Sequence, residues 1–239
     1  MSDRRPNLPS ARRWGPPVLA VALCLGAALS GPAFAADSGA PAAPPAPAEP
    51  PAAIAAPEPE QPPFVDIQGR ESTHTKGEVH LTILMDFFCS HCHHFDTTVL
   101  PVLEKEYGDK LKVRYMGFPI VDPKASHIPV LAYYLADAQG KGDAMRQLLF
   151  SAIWDHRLDV TRPDILLGIA QKAGLDLEQF KKGFNENTMR PRLEEGLDMA
   201  KAIGARGTPT LLIDNHIRIT DNSLRSIEAV FADVLKADG

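Results

Sequence analysis

Apolar side chains along residues 79–88 follow no helical spacing. Val79, Leu81, Ile83, Leu84, Met85, Phe87 and Phe88 form a β-branched and apolar run, which predicts a buried central strand. Beyond it the spacing changes. Cys92, Phe95, Val99, Leu100, Leu103 and Tyr107 recur every three or four positions, the pattern of a helix with one buried face. Pro101 falls inside that helix and predicts a kink, and Gly108 ends it. Over residues 111–118, Leu111, Val113 and Tyr115 alternate with Lys110, Lys112 and Arg114, which predicts a second strand. The order is strand, helix, strand.

Residues 122–204 carry helical patterns only. Ile128, Leu131, Tyr134, Leu135 and Ala138 mark one stripe, and Met145, Leu148, Leu149, Ala152 and Ile153 a second. Thr161 with Asp164 predicts a cap before Ile165, Leu166, Ile169 and Ala173, and Asp176 with Gln179 predicts the next. Leu193, Leu197 and Ala200 carry the last stripe, which ends near Gly204. The chain then returns to β: a short strand over residues 210–213, a two-residue turn at Asp214 and Asn215, and a return strand over residues 216–219. Leu224, Ile227, Val230, Phe231 and Val234 predict a final helix.

The first 63 residues read differently. Arg4, Arg5, Arg12 and Arg13 precede a twelve-residue apolar run, and Ala33-Phe34-Ala35 follows it. That order is the layout of a secretory signal peptide over residues 1–35; the competing reading is an uncleaved membrane anchor. Residues 36–63 are an Ala/Pro-rich linker with too little apolar side chain to offset the entropy of ordering. Residues 64–239 are long enough for one domain with an insertion. The chain carries a net charge of −5 and loses four arginines with the leader, so no nucleic-acid partner is expected.

The chain has three cysteines, and Cys24 lies in the leader. The remaining pair, Cys89 and Cys92, is spaced C-x-x-C at the junction of strand and helix. A structural bridge normally closes a longer loop, because its stabilisation grows with loop length. Cys89 at a helix N-terminus meets unpaired backbone N–H groups and the positive end of the helix dipole, which favour a thiolate. Cys89 is therefore the candidate nucleophile, the more exposed thiol, and Cys92 the shielded resolving thiol. His91 between them adds positive charge when protonated. Asp86, three residues before Cys89, either caps the helix or relays a proton; its residue type and position leave both open. His93 and His94 read as a solvated helix face. Zinc sites use C-x-x-C too, usually with a second pair, which this chain lacks, so no metal and no cofactor are expected. Gly207-Thr208-Pro209-Thr210 stands directly before a strand, where a proline without an N–H is tolerated.

Asp86-Phe87-Phe88-Cys89, Pro101 and Gly207-Thr208-Pro209-Thr210 together resemble the DsbA-like family of exported thiol–disulfide oxidoreductases, over residues 64–239. The resemblance implies an α/β thioredoxin fold with a mixed central sheet. It implies an all-helical insertion, residues 121–204, between the second core strand and the cis-proline strand. It makes Thr208 and Pro209 a substrate-binding cis-proline loop, and Ser90, His91 and Asp86 the residues that tune the redox pair. It implies partners as well: thiol-containing exported client proteins and a membrane redox partner, with the chain acting as a periplasmic monomer. Two departures stand out. Ser90 replaces the family's usual proline, and Ile83 occupies a strand position where relatives often carry a buried acid. The competing functions are a disulfide isomerase or reductase kept reduced by another partner, and a copper-binding protein.

Overall fold

A computed structural model describes residues 63–237; the predicted leader and nearly all of the linker lie outside the described residues. The predicted central strand is β2 (Val79–Met85), ending four residues before Cys89. Leu81, Ile83, Leu84 and Met85 are all buried, as a strand covered on both faces requires. Its neighbours are β3 (Leu111–Gly117), parallel to it, and β4 (Thr210–Ile213), antiparallel. β5 (Ile217–Ile219) pairs antiparallel with β4, and β1 (Phe64–Asp66) closes the sheet against β5 in the order β1-β5-β4-β2-β3. Parallel β2 and β3 joined through a helix, with antiparallel β4 and β5, make the mixed sheet of a thioredoxin fold. β1 has no counterpart in the sequence reading. Three residues are too few to display a strand period, and their pairing partner lies more than 150 residues away.

The hairpin turn is built as the sequence predicts. Asp214 and Asn215 both take positive φ, 45° and 69°, and the His216 N–H reaches the Ile213 carbonyl at 3.1 Å. Asp214 is also a buried anchor. Its carboxylate accepts the His80 backbone N–H at 2.9 Å and lies 2.8 Å from His74 Nδ1.

The helix after Cys89 is interrupted. α1 (Ser90–His94) passes into a π-helical turn (Phe95–Val99) and then α2 (Leu100–Tyr107), in whose first turn Pro101 lies. Proline lacks an N–H, and its ring crowds the carbonyl four residues back; the widened turn just before Pro101 relieves both. The Thr97 hydroxyl donates to the His93 carbonyl at 2.8 Å within that turn.

Five helices then fill the segment between β3 and β4: α3 (His127–Asp137), α4 (Gly142–Trp154), α5 (Pro163–Lys172), α6 (Leu177–Asn185) and α7 (Arg190–Ala202). α8 (Leu224–Lys236) closes the fold, capped by the Ser223 hydroxyl. Two expectations need correction. α3 does not bury a single stripe: Pro129 through Ala136 are all buried, because α3 is packed by α4, α5, α6 and α7 together. Thr161 is not a cap either. α5 begins at Pro163 after Arg162 with no side-chain cap, and the Thr161 hydroxyl donates instead to Asp159 at 2.6 Å. The cap at Asp176 does form, accepting the N–H groups of Glu178 and Gln179.

The helical segment is fastened to the sheet and to the helix that follows Cys89. The Gly117 N–H donates to the Tyr134 hydroxyl at 2.6 Å, and Arg192 lies over the Tyr134 ring at 4.3 Å. Arg146 of α4 forms a buried ion pair with Asp96 of the π turn. α7 approaches the end of β3 so closely that a Cβ on Gly196 would run into the Gly117 carbonyl. Gly196→Ala should therefore destabilise the protein by about 1–3 kcal/mol, since backbone has to move to admit one methyl group. Denaturant unfolding measures this; an unchanged midpoint would contradict the close approach.

Candidate functional site

The site begins with a turn at the end of β2. The Cys89 N–H bonds the Asp86 carbonyl at 3.1 Å, closing a four-residue turn over Phe87 and Phe88. Cys89 is the N-cap of α1, with extended φ and ψ of −86° and 117°, and its carbonyl accepts the His93 N–H at 3.1 Å. The first N–H groups of the helix are left facing the Cys89 sulfur.

Asp86 is completely buried, and both of its carboxylate oxygens are used. One accepts the Phe88 N–H at 2.9 Å; the other accepts Ile120 and Val121 N–H at 2.9 and 2.8 Å. Asp86 thus ties the redox turn to the loop that follows β3. Of the two roles left open by the sequence, a helix cap is not what the structure shows, because α1 has no side-chain cap. Ile120 and Val121 were not legible in the sequence, since nothing local marks an N–H that reaches a carboxylate 34 and 35 residues earlier.

The Thr208–Pro209 bond is cis, and the Thr208 carbonyl lies 3.1 Å from Cys89 Sγ. The loop is held on its far side. Asn222 Nδ2 donates to the Pro209 carbonyl at 2.9 Å, and the Thr210 hydroxyl to Gly207 at 2.8 Å. Asn222 carries no sequence motif and is found only through this contact.

Cys89, Cys92, Asp86, Thr208 and Pro209 are therefore brought together, with Ser90 and His91 exposed on the outer face of α1. Both cysteines are free thiols in this structure. The expected contrast in exposure is smaller than the sequence suggests: Cys89 is 8 % exposed and Cys92 3 %, because the Thr208–Pro209 loop covers the pair. Ile83 is buried in the middle of β2 and supplies no acid.

The electrostatics separate the two sulfurs. Cys89 is pushed down to about 5. The Cys92 thiol hydrogen bond contributes most, opposed by burial and aided by the Thr208 side chain and the N–H groups of Cys92 and His91. The Thr208 carbonyl acts the other way, since as an acceptor it favours the protonated thiol. The donors prevail because several converge on one sulfur. The His91 contribution is its backbone N–H, which any residue but proline would supply. Cys92 moves far in the opposite direction: burial disfavours its charge, and the Cys89 hydrogen bond holds its proton. The site thus holds one thiolate and one thiol at neutral pH. Among the described residues no group of three or more His, Cys, Asp or Glu is arranged to hold a metal ion.

This arrangement defines the class: a thioredoxin fold carrying a dithiol centre with one activated sulfur. The family model described as Thioredoxin matches residues 72–232, and the chain belongs to that family. Within it the described domain is a DsbA-like thiol–disulfide oxidoreductase domain. A probable disulfide bond formation protein D of Bacillus cereus is 28% identical over 144 residues, covering 57% of this chain and 65% of that protein. A thiol:disulfide interchange protein DsbA of Pseudomonas aeruginosa is 20% identical over 155 residues, covering 65% of this chain and 72% of that protein. A crystal structure of Xylella fastidiosa DsbA superimposes with a TM-score of 0.61 at 18% identity, covering 73% of this chain and 94% of that one.

Two outcomes test the electrostatics. Cys92→Ala removes the strongest donor to Cys89, so the thiolate absorbance of the reduced variant should titrate above the parent's midpoint of about 5. An unchanged midpoint would show that the backbone N–H groups suffice. The second concerns stability. Cys89 has a folded value below its ordinary 9.0, so its thiolate stabilises the reduced fold fully above about 9. That contribution is lost as pH falls toward about 5, while the oxidised form has no such thiolate. The Tm of the reduced form minus that of the oxidised form should therefore rise between pH 5 and 9. A pH-independent difference would contradict the low value.

Proposed function

We propose that the protein is an exported dithiol oxidase, which passes the Cys89–Cys92 disulfide to cysteines of proteins folding in the periplasm. The observation that carries this reading is the low value of Cys89 beside the raised value of Cys92. A stabilised thiolate stabilises the reduced protein, and a stabilised reduced form makes the disulfide oxidising. The names of the relatives, disulfide bond formation and thiol:disulfide interchange, support the same chemistry.

In the proposed cycle a client thiolate attacks Cys89 Sγ. The Cys89–Cys92 bond breaks, and the Cys92 sulfur leaves with the bonding pair and takes a proton. A second client thiolate then attacks the client sulfur of the mixed disulfide and expels Cys89. The client gains a disulfide, and the protein keeps two electrons as one thiolate and one thiol. The low value of Cys89 makes it a good leaving group in that second step. The Thr208 backbone beside Cys89 and the exposed Ile120 and Val121 offer an extended client segment both main-chain and apolar contact. Ser90, His91 and Asp86 tune the pair, and Pro209 shapes the client loop.

Residues 1–35 are the export signal in this reading and residues 36–63 a tether. Among the described residues no helix is long and apolar enough to cross a membrane. The chain works as a monomer and is reoxidised by a membrane partner. The second reading, an isomerase or reductase, draws on Ser90, which leaves the turn freer than a proline would.

Equilibration with glutathione separates the two. An oxidase should show a reduction potential above about −200 mV, toward the strong-oxidant end of the superfamily. A value near about −270 mV, that of thioredoxin, would move the assignment to a reductase.

A further inference from the structure

The peptide unit between Phe87 and Phe88 is the centre of the turn that presents Cys89, and it is gripped at both ends. Its N–H donates to Asp86 Oδ1 at 2.9 Å. Its carbonyl accepts the Trp154 indole N–H at 3.0 Å. Asp86 belongs to the thioredoxin core, whereas Trp154 is the last residue of α4, inside the helical insertion. The indole also lies parallel to the His93 ring, with centroids 5.7 Å apart and planes 8° apart. His93 is bonded to the Cys89 carbonyl through its own N–H. One side chain of the insertion therefore touches the residue two before the nucleophile and the residue four after it.

The orientation of that peptide is a natural point of freedom. Four-residue turns of types I and II differ chiefly by a flip of their central peptide. A flip here would reverse a dipole of about 3.5 D immediately before Cys89 and withdraw the donor from Asp86. It would also change the angle at which Cys89 enters the helix, and with it the alignment of its sulfur to the N–H groups of His91 and Cys92. Asp86 alone holds the N–H end; the indole holds the oxygen end.

We propose that Trp154 is a positioning residue of the redox centre, through which the helical insertion fixes the Phe87–Phe88 peptide and so sets the stability of the Cys89 thiolate. This inference rests on the dithiol reading of the site but not on the direction of exchange. It gives the insertion a part in the chemistry as well as in covering the sheet.

The test compares Trp154→Phe with Phe150→Leu. The first keeps an aromatic ring near His93 and removes the N–H together with part of the indole. The second disturbs the same aromatic cluster, where Phe150 lies 4.9 Å from Phe87, without touching the hydrogen bond. Trp154→Phe should raise the thiolate midpoint of the reduced protein by about half to one unit and make the disulfide about three- to tenfold less oxidising against glutathione. Phe150→Leu should lower Tm and leave the midpoint in place. If Trp154→Phe lowers Tm and leaves both the midpoint and the glutathione constant unchanged, the residue is structural only and the proposal fails. The midpoint is read on reduced protein, so it answers even if the parent never forms its disulfide, an outcome that would overturn the dithiol reading instead. Should Trp154→Phe not fold, the indole N–H resonance of the parent decides; the chain's other tryptophan, Trp14, lies in the predicted leader, so Trp154 gives the one indole N–H of the exported protein. Slow exchange and a shift that differs between reduced and oxidised protein support the proposal. Rapid exchange with identical shifts overturns it.

Discussion

The Cys89 sulfur must carry negative charge where little water reaches it. Burial alone would push its proton affinity up, as it does for Cys92 one turn further into the same helix. The two sulfurs differ in what points at them. Cys89 stands at the helix start, where N–H groups have no carbonyl to bond, and receives the Cys92 thiol as well. The Cys92 sulfur lies deeper against the core, and the N–H of Cys92 is itself one of those that point at Cys89. A displacement of three residues along one helix thus separates a thiolate from a thiol, and most of the fold keeps that helix start in register with β2 and the Thr208 loop.

The register is kept by polar contacts whose partners come from distant parts of the chain. Asp86 joins the turn to the loop after β3, Asn222 fixes the Thr208–Pro209 loop, and the Arg146–Asp96 pair joins the insertion to the helix after the cysteines. Each is buried or partly buried, so loss of one partner would leave the other without compensation, a penalty of about 1–3 kcal/mol for a neutral group. The π turn before Pro101 belongs to the same scheme. It lets the helix bury Phe95 and Leu100 against the core while Asp96 faces Arg146.

What the sequence discloses follows from how local each feature is. The two cysteines, the strand before them, Pro101, the Asp214–Asn215 turn and the Thr208–Pro209 motif are written within a few residues, and each stands in the fold where its pattern places it. β1 is too short for periodicity and depends on β5 for its pairing. The cap at Thr161 failed because Asp159, two residues back, competes for the same hydroxyl. α3 looks amphipathic in sequence but is enclosed by four helices, and small residues such as Ala132 and Ala136 carry no periodic signal of that. Of the site residues, Asp86 is conspicuous but its partners are not, and Asn222 and Trp154 have no motif at all.

The residue at position 83 bears on the return half of the cycle. Cys92 must lose its proton before a disulfide can form again, yet burial and Cys89 both hold that proton in place. The family resemblance leads one to expect a buried acid at the strand position of Ile83, but Ile83 is apolar and supplies no carboxylate. Asp96, four residues after Cys92, is paired with Arg146, and the two oxygens of Asp86, six residues before it, already accept three backbone N–H groups. The groups that act on Cys92 are its own burial, Cys89, the Asp86 backbone and Thr208, and none of them is a free carboxylate. The pair is therefore built asymmetrically. In the proposed cycle the Cys89 thiolate favours reduction, whereas reoxidation has to remove a proton that burial and Cys89 hold on Cys92. Thr208 acts on both sulfurs, so in the proposed cycle a partner that displaces its loop would uncover Cys92 together with Cys89.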